Sequence, residues 1–282
     1  MKKLVALLLS VMLVAAFSFT AVSCGKDEEN TYDGVLKVGM ECAYQPFNWT
    51  QYDNSNGAVA ISGKSGQYAN GYDVIIAKKI AAALNYKLEI YAYEWDSLIP
   101  AVESGALDFI IAGMSPTDER KEIIDFSVNY YESNLVVVVR KDGAYANANS
   151  LADFNGAKIV AQSGTFHDEV VDQIPGVQHQ TAMDDFPMMI TALKSNTISG
   201  YIAEEPGAIA DCNANSEFKY IPLVNNDNGF TITDMSNVAL AVGLKKNSSL
   251  LAKVNDTLNA LSDSEKIALM TQAVEWAAKI SE

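Results

Sequence analysis

Residues 108–120, Asp108-Phe109-Ile110-Ile111-Ala112-Gly113-Met114-Ser115-Pro116-Thr117-Asp118-Glu119-Arg120, bring together groups that can hold a small anion. The apolar run 109–112 predicts a buried strand. It breaks at Gly113, where the bare backbone lets a ligand come close. Ser115 then predicts a helix N-cap, with Pro116 as the first helical residue and Asp118 completing a Ser-x-x-Asp capping box. Arg120 falls in the first turn. Free N–H groups at a helix start, positive dipole character and a guanidinium together suit a carboxylate. The same residues also suit an ordinary strand-loop-helix join with Arg120 in a surface ion pair, and a short motif alone does not separate the two.

The elements that would position such a site must come from a 282-residue chain with a formal net charge of −15. That length suits one large domain or two modest ones. Hydrophobic residues at 49% and charged residues at 20% are ordinary for a globular protein. The acidity argues against a nucleic-acid partner, whose binders gather Lys and Arg on one face. Lys2 and Lys3 followed by an apolar run over 4–22 form a processing segment. Ala21-Val22-Ser23-Cys24 resembles a bacterial lipoprotein signal, in which residues 1–23 are removed and Cys24 becomes the lipid-bearing first residue. Ala21 departs from the usual leucine. Plain secretory cleavage and a retained membrane anchor also fit. The lipoprotein reading is preferred, with 24–31 as lipidated N-terminus and tether. Each option puts residue 32 onward outside the cytoplasm. Cys42 and Cys212 are expected to be free, since they fall in different lobes and a bond between them would lock a hinge.

Strands are predicted at 36–40, 87–93, 109–112, 135–139, 158–162, 177–181, 200–203, 219–221 and 238–244. Helices are predicted to open at Asp73, Asp96, Ser115, Thr165, Asp184 or Asp185, and Pro206, with two more over 248–261 and 263–280. Residues 41–47 read as a loop and 51–70 as a loose hairpin. Gly63-Lys64-Ser65 nearly completes a phosphate loop, but the leading glycine is displaced to Gly57 and no strand-to-helix context surrounds it. A strand-helix-strand set occurs before and after a polar loop at 142–150. The expectation is therefore α/β, with two similar lobes, each a mostly parallel sheet flanked by helices, and a ligand crevice at the strand C-terminal ends.

Seven motifs now stand in order: Ala43-Tyr44-Gln45-Pro46-Phe47, Asn70-Gly71-Tyr72-Asp73-Val74, Trp95-Asp96-Ser97-Leu98-Ile99-Pro100, residues 112–120, Asp125-Phe126-Ser127 with Tyr130-Tyr131, Gln162-Ser163-Gly164-Thr165, and Glu204-Glu205-Pro206. Together they resemble the polar amino-acid-binding proteins of bacterial ABC importers, solute-binding family 3, from residue 36 to the C-terminus. The resemblance implies a type II periplasmic-binding-protein fold in which the chain crosses between lobes twice. Lobe one would hold 32–129 and 240–282, lobe two 135–235, with hinge crossings at 130–134 and 234–239. It also implies roles. Arg120 would grip the ligand α-carboxylate, aided by Gly113 and Ser115 from lobe one and by Thr165 and the Phe166 N–H from lobe two. Glu204 would meet the α-ammonium, where the family usually carries aspartate, unless Glu205 shares that role. Tyr44 and Trp95 would sandwich the side chain. Glu41 would face its far end, with Gln162 opposite.

The expected activity is capture of a free polar or cationic L-amino acid, lysine or arginine first, and its delivery to the transmembrane subunits of an ABC importer. Glutamine and histidine are rivals; an acid at Glu41 would repel glutamate. No cofactor or metal is expected, nor any enzyme activity, and a monomer anchored to the membrane by its N-terminal lipid is. Two alternatives share the scaffold: a dehydratase-type enzyme using Glu41 or Glu204 for proton transfer, and an amino-acid-sensing ectodomain. Met188 and Met189 read as core, and His167 and His179 as surface.

Overall fold

The computed structural model describes residues 32–280; the leader, Cys24 and the tether lie outside them. Two five-stranded sheets repeat one plan. In the first, Tyr86–Ala92, Gly34–Met40 and Phe109–Ile110 run parallel, Gly243–Leu244 is antiparallel to its neighbours, and Asp125–Phe126 closes the edge. In the second, Gln178–His179, Lys158–Val160 and Gly200–Glu204 run parallel, Leu135–Arg140 is antiparallel to its neighbours, and Phe218–Ile221 closes the edge. Each sheet thus has a single reversed strand.

The reversed strands are those fed directly by the connections between the sheets. Tyr131–Glu132 pairs with Ala239–Leu240 in a two-stranded ribbon, and the chain goes from it into Leu135–Arg140 on one side and Gly243–Leu244 on the other. A strand entered from this ribbon starts at the cleft end of its sheet. The parallel strands finish there, and their C-terminal loops line the cleft. The apolar run at 238–244, read as one strand, is therefore two short strands in two sheets, separated by Ala241 and Val242.

Leu135 to Val139 is apolar throughout because both its faces are covered. Val136 and Val138 join the larger core with Phe186, Met189 and Tyr201. Leu135, Val137 and Val139 join a second core with Phe154, Ile159 and Phe230. Met189 is buried, but Met188, its neighbour on the helix Phe186–Lys194, is exposed, because successive residues on a helix point about 100° apart. The last helix, Asp263–Ile280, is unbroken and packs against both Tyr72–Leu84 and Glu205–Ala214. Cys42 and Cys212 are free thiols, one beside each sheet.

A small antiparallel sheet, in the order Ala43–Tyr44, Asn48–Gln51, Tyr68–Asn70, Val59–Ala60, holds the segment read as loop and hairpin. It is docked on the start of the helix Tyr72–Leu84, where the Tyr72 and Asp73 N–H groups donate to the Pro46 and Phe47 carbonyls. Gly71 takes the cap position at φ +128°, with the Phe47 carbonyl 2.3 Å from where a Cβ would stand. Asp73 is therefore not the cap. Its carboxylate is buried and accepts from Asn48 Nδ2 and Tyr130 Oη, both at 2.8 Å.

Candidate functional site

One enclosed cavity between the two sheets is lined by all ten candidate residues: Glu41, Tyr44, Trp95, Gly113, Ser115, Arg120, Gln162, Thr165, Phe166 and Glu204. The first six come from segments that follow strands of the first sheet, Tyr44 on the small antiparallel sheet and Arg120 on the helix Asp118–Ile123 among them. The other four come from strand ends or helix starts of the second. Ala112, His167 and Asn237 complete the wall.

Arg120 reaches the cavity by a route different from the predicted one. The helix is Asp118–Ile123 and its N-cap is Thr117, whose hydroxyl accepts the Arg120 N–H at 3.4 Å. With Thr117 supplying the cap, the helix starts two residues later than predicted and the capping box at Ser115 does not form. Ser115 instead turns its carbonyl to the guanidinium: Arg120 Nη1 donates to it at 2.8 Å. Nη2 donates to the Gly164 carbonyl of the other lobe, also at 2.8 Å. The guanidinium lies 5.1 Å from the Trp95 ring centroid, within cation–π range. Burial pulls its pKa down to about 10, with Glu119 and Glu169 opposing. It stays cationic at neutral pH.

Beneath this end runs a buried network. The Gly113 N–H, at φ +62°, donates to Tyr130 Oη at 3.3 Å, and Tyr130 donates to Asp73. Asn48 donates to the other Asp73 oxygen and accepts the Cys42 N–H at 2.7 Å. Burial pushes Asp73 up to about 6 against the hydrogen bonds from Tyr130 and Asn48. The network ties the Gly113 turn, the Tyr44-bearing sheet and the crossing at Tyr130 into one support.

The second wall holds a correction. His167 is buried, not on the surface, and its Nε2 lies 3.2 Å from Glu204 Oε1. Glu204 also accepts the Tyr44 hydroxyl from the opposite lobe. Burial alone would raise the Glu204 carboxyl, but the His167 charge and the His167 and Tyr44 hydrogen bonds outweigh it and hold it below its ordinary range. Glu205 takes no part in this wall; its N–H donates to the Asn134 carbonyl at the crossing. Tyr44 stacks on Phe186 of lobe two, centroids 3.9 Å apart and planes 12° apart, and lies against Gly207. Its ring is thus packed between the lobes, while Trp95 lies across the guanidinium. His179 is on the surface as read, with both ring nitrogens 2.9 Å from carboxylates, Asp168 and Asp172.

At the far end Gln162 Nε2 donates to Glu41 Oε1 and to the Asp184 carbonyl, both at 2.9 Å. Thr165 Oγ1 donates to the Gln162 carbonyl at 2.7 Å. Burial pushes Glu41 up to about 8; the Gln162 amide opposes, and Asp185, Glu94 and Asp96 add to the rise. Three hydrogen bonds therefore cross between the lobes: Arg120 to Gly164, Gln162 to Glu41, and Tyr44 to Glu204. The free volume between them is about 20 Å³, room for about one water. These walls are closed on one another.

A cationic anchor at one end, a buried anion on the facing wall and a carboxyl at the far end have the charges that would complement a zwitterion. Comparison with known proteins agrees with that geometry. The family model for bacterial extracellular solute-binding proteins, family 3, matches residues 36–273. The arginine-binding extracellular protein ArtP of Bacillus subtilis is 28% identical, with 92% of this chain and 94% of that protein covered. A probable histidine-binding protein of Campylobacter jejuni is 30% identical, with 71% and 74% covered. Among solved structures, an amino acid ABC transporter substrate-binding protein from Streptococcus pneumoniae bound to L-arginine is similar with a TM-score of 0.73 and 27% identity, covering 86% of this chain and 94% of that one.

Proposed function

The chain belongs to the bacterial extracellular solute-binding proteins, family 3, and from that premise we propose that it captures a free polar or cationic L-amino acid, arginine or lysine first, and delivers it to an ABC importer. The observation that carries this reading is the convergence of all ten candidate residues on one cavity between the lobes. Arg120 offers two N–H groups in a fixed fork to the α-carboxylate; the Ser115 and Gly164 carbonyls hold the guanidinium in place meanwhile. Glu204 is ionised and uses only two of its four lone-pair sites on Tyr44 and His167, which leaves acceptor sites for the α-ammonium once the walls have parted. Glu41, with Asp185, Glu94 and Asp96 nearby, favours a cation at the side-chain end. The names of the arginine-binding relatives point the same way.

With the walls closed on one another, entry requires them to part. The ribbon of Tyr131–Glu132 and Ala239–Leu240 is the connection about which they would hinge. Lobe one is then 32–129 with 240–282, and lobe two 135–235. No bond is made or broken. Charge-assisted hydrogen bonds offset the desolvation of the zwitterion only when every group is paired. Cys24 would carry the lipid that keeps the protein at the outer face of the membrane, beside the importer.

A thermal-shift panel of the common amino acids on the soluble chain tests the reading. A ligand at 100 times its Kd adds about 2.7 kcal/mol of stability. L-arginine and L-lysine are expected to raise the melting temperature most. A panel in which no amino acid shifts it contradicts the proposal.

A further inference from the structure

His167 follows directly on Thr165 and Phe166, at the start of the helix Phe166–Glu169, and its ring lines the cavity. The side chain is 9% exposed. Its Nε2 faces Glu204 Oε1 at 3.2 Å. An ionised carboxylate only accepts, so Nε2 carries a proton. Nδ1 is buried and has no hydrogen-bond partner among the described residues. Two other buried side-chain atoms share that condition, Trp49 Nε1 and Ser236 Oγ, but neither residue lines the cavity. A buried polar atom without a partner is costly, and native structures rarely keep one unless it is used.

Arg120, Glu41 and the Tyr44 hydroxyl line the same cavity. We infer that His167 is a direct ligand contact: its unpartnered Nδ1 hydrogen-bonds the captured amino acid beside Glu204, while its Nε2–H fixes the Glu204 carboxylate that meets the α-ammonium. The inference rests on the amino-acid reading above and adds a residue to it. The Glu204 carboxylate is braced by Tyr44 and His167.

Two variants separate contact from support. His167→Asn places an amide near the position of Nδ1 and gives up the reach to Glu204. His167→Gln keeps a donor for Glu204 and loses the polar atom at Nδ1. Both are titrated calorimetrically with the amino acid that stabilises the wild type most in the thermal-shift panel, L-arginine by expectation. The contact predicts that His167→Asn binds about tenfold tighter than His167→Gln, the scale of one hydrogen bond to a charged group. His167→Gln binding as well as His167→Asn, or better, overturns it and leaves His167 as a brace for Glu204 alone. A wild type that no amino acid stabilises sinks the amino-acid reading and this contact together, so the two failures are distinct.

Discussion

The two ends of the cavity hold opposite charges in different ways. Arg120 keeps its charge because two carbonyls, one from each lobe, and the face of Trp95 receive it. Its pKa falls only to about 10. Glu41 has one amide partner, Gln162, and burial, followed by Asp185, Glu94 and Asp96, pushes it up to about 8 against that hydrogen bond. At neutral pH one end is a permanent cation. The other is an anion only when a positive group sits beside it. The fixed charge suits the carboxylate that every amino acid carries, and the conditional one suits a side chain that must be told apart from others. On the proposed reading, capture and selectivity are separated in space.

Breaking the fixed end should have the largest effect. Arg120→Ala is expected to weaken L-arginine binding by about 3 kcal/mol or more, the scale for truncating one partner of a buried charged pair. Glu41→Gln should cost about 2 kcal/mol for L-arginine, and less than about threefold for L-glutamine, both by calorimetry. Equal losses for the two ligands would remove the selective role from Glu41.

A pH series sharpens the contrast next. A cationic side chain must displace the Glu41 proton below about pH 8. L-arginine affinity should therefore climb from pH 6 to 8, by up to about tenfold per unit, and level off above, while L-glutamine affinity should not follow it. The same proton sets a stability trend. The Glu41 pKa is raised from 4.5 to about 8, so between those values the folded chain keeps a proton that the unfolded chain has lost. That contribution is full below about pH 4.5 and disappears as pH rises through about 8. Asp73, raised to about 6, and Asp211, raised to about 7 by burial against the Tyr201 hydroxyl, act in the same direction. The unliganded melting temperature should fall from pH 5 to 8; a steady rise would contradict these assignments.

The smallest effect should come from the contact between the lobes that neither charge uses. A Cβ on Gly207 would stand 2.9 Å from the Tyr44 hydroxyl oxygen and 3.0 Å from its ring, and that ring is held against Phe186. Gly207→Ala should weaken binding by about 1 kcal/mol through strained closure. Unchanged affinity would mean that Tyr44 moves freely in the closed form.

Much of this arrangement was legible from local pattern. Apolar runs and helix-start signals placed most elements, and the motifs at strand ends named ten residues that the fold brings to one cavity. What escaped depended on partners distant in the chain. Asp73 resembles a cap by position, yet its role is set by Asn48 and Tyr130. Ser115 fits a capping box until the competing cap at Thr117 is weighed against it. His167 carries no local partner signal, because Glu204 lies 37 positions away and only the parallel pairing of Lys158–Val160 with Gly200–Glu204 brings their loops side by side. The division of 238–244 between two sheets follows from where the chain crosses, which periodicity does not encode.

Calorimetric titration of L-arginine into the wild type and into Arg120→Ala at pH 7 asks whether this cavity captures an amino acid through its carboxylate. One site per chain is expected in the wild type, and a loss of more than about a hundredfold in the variant. A variant within about threefold of a wild type that binds would contradict capture through the carboxylate, because the residue that defines the carboxylate end would then not be holding the ligand.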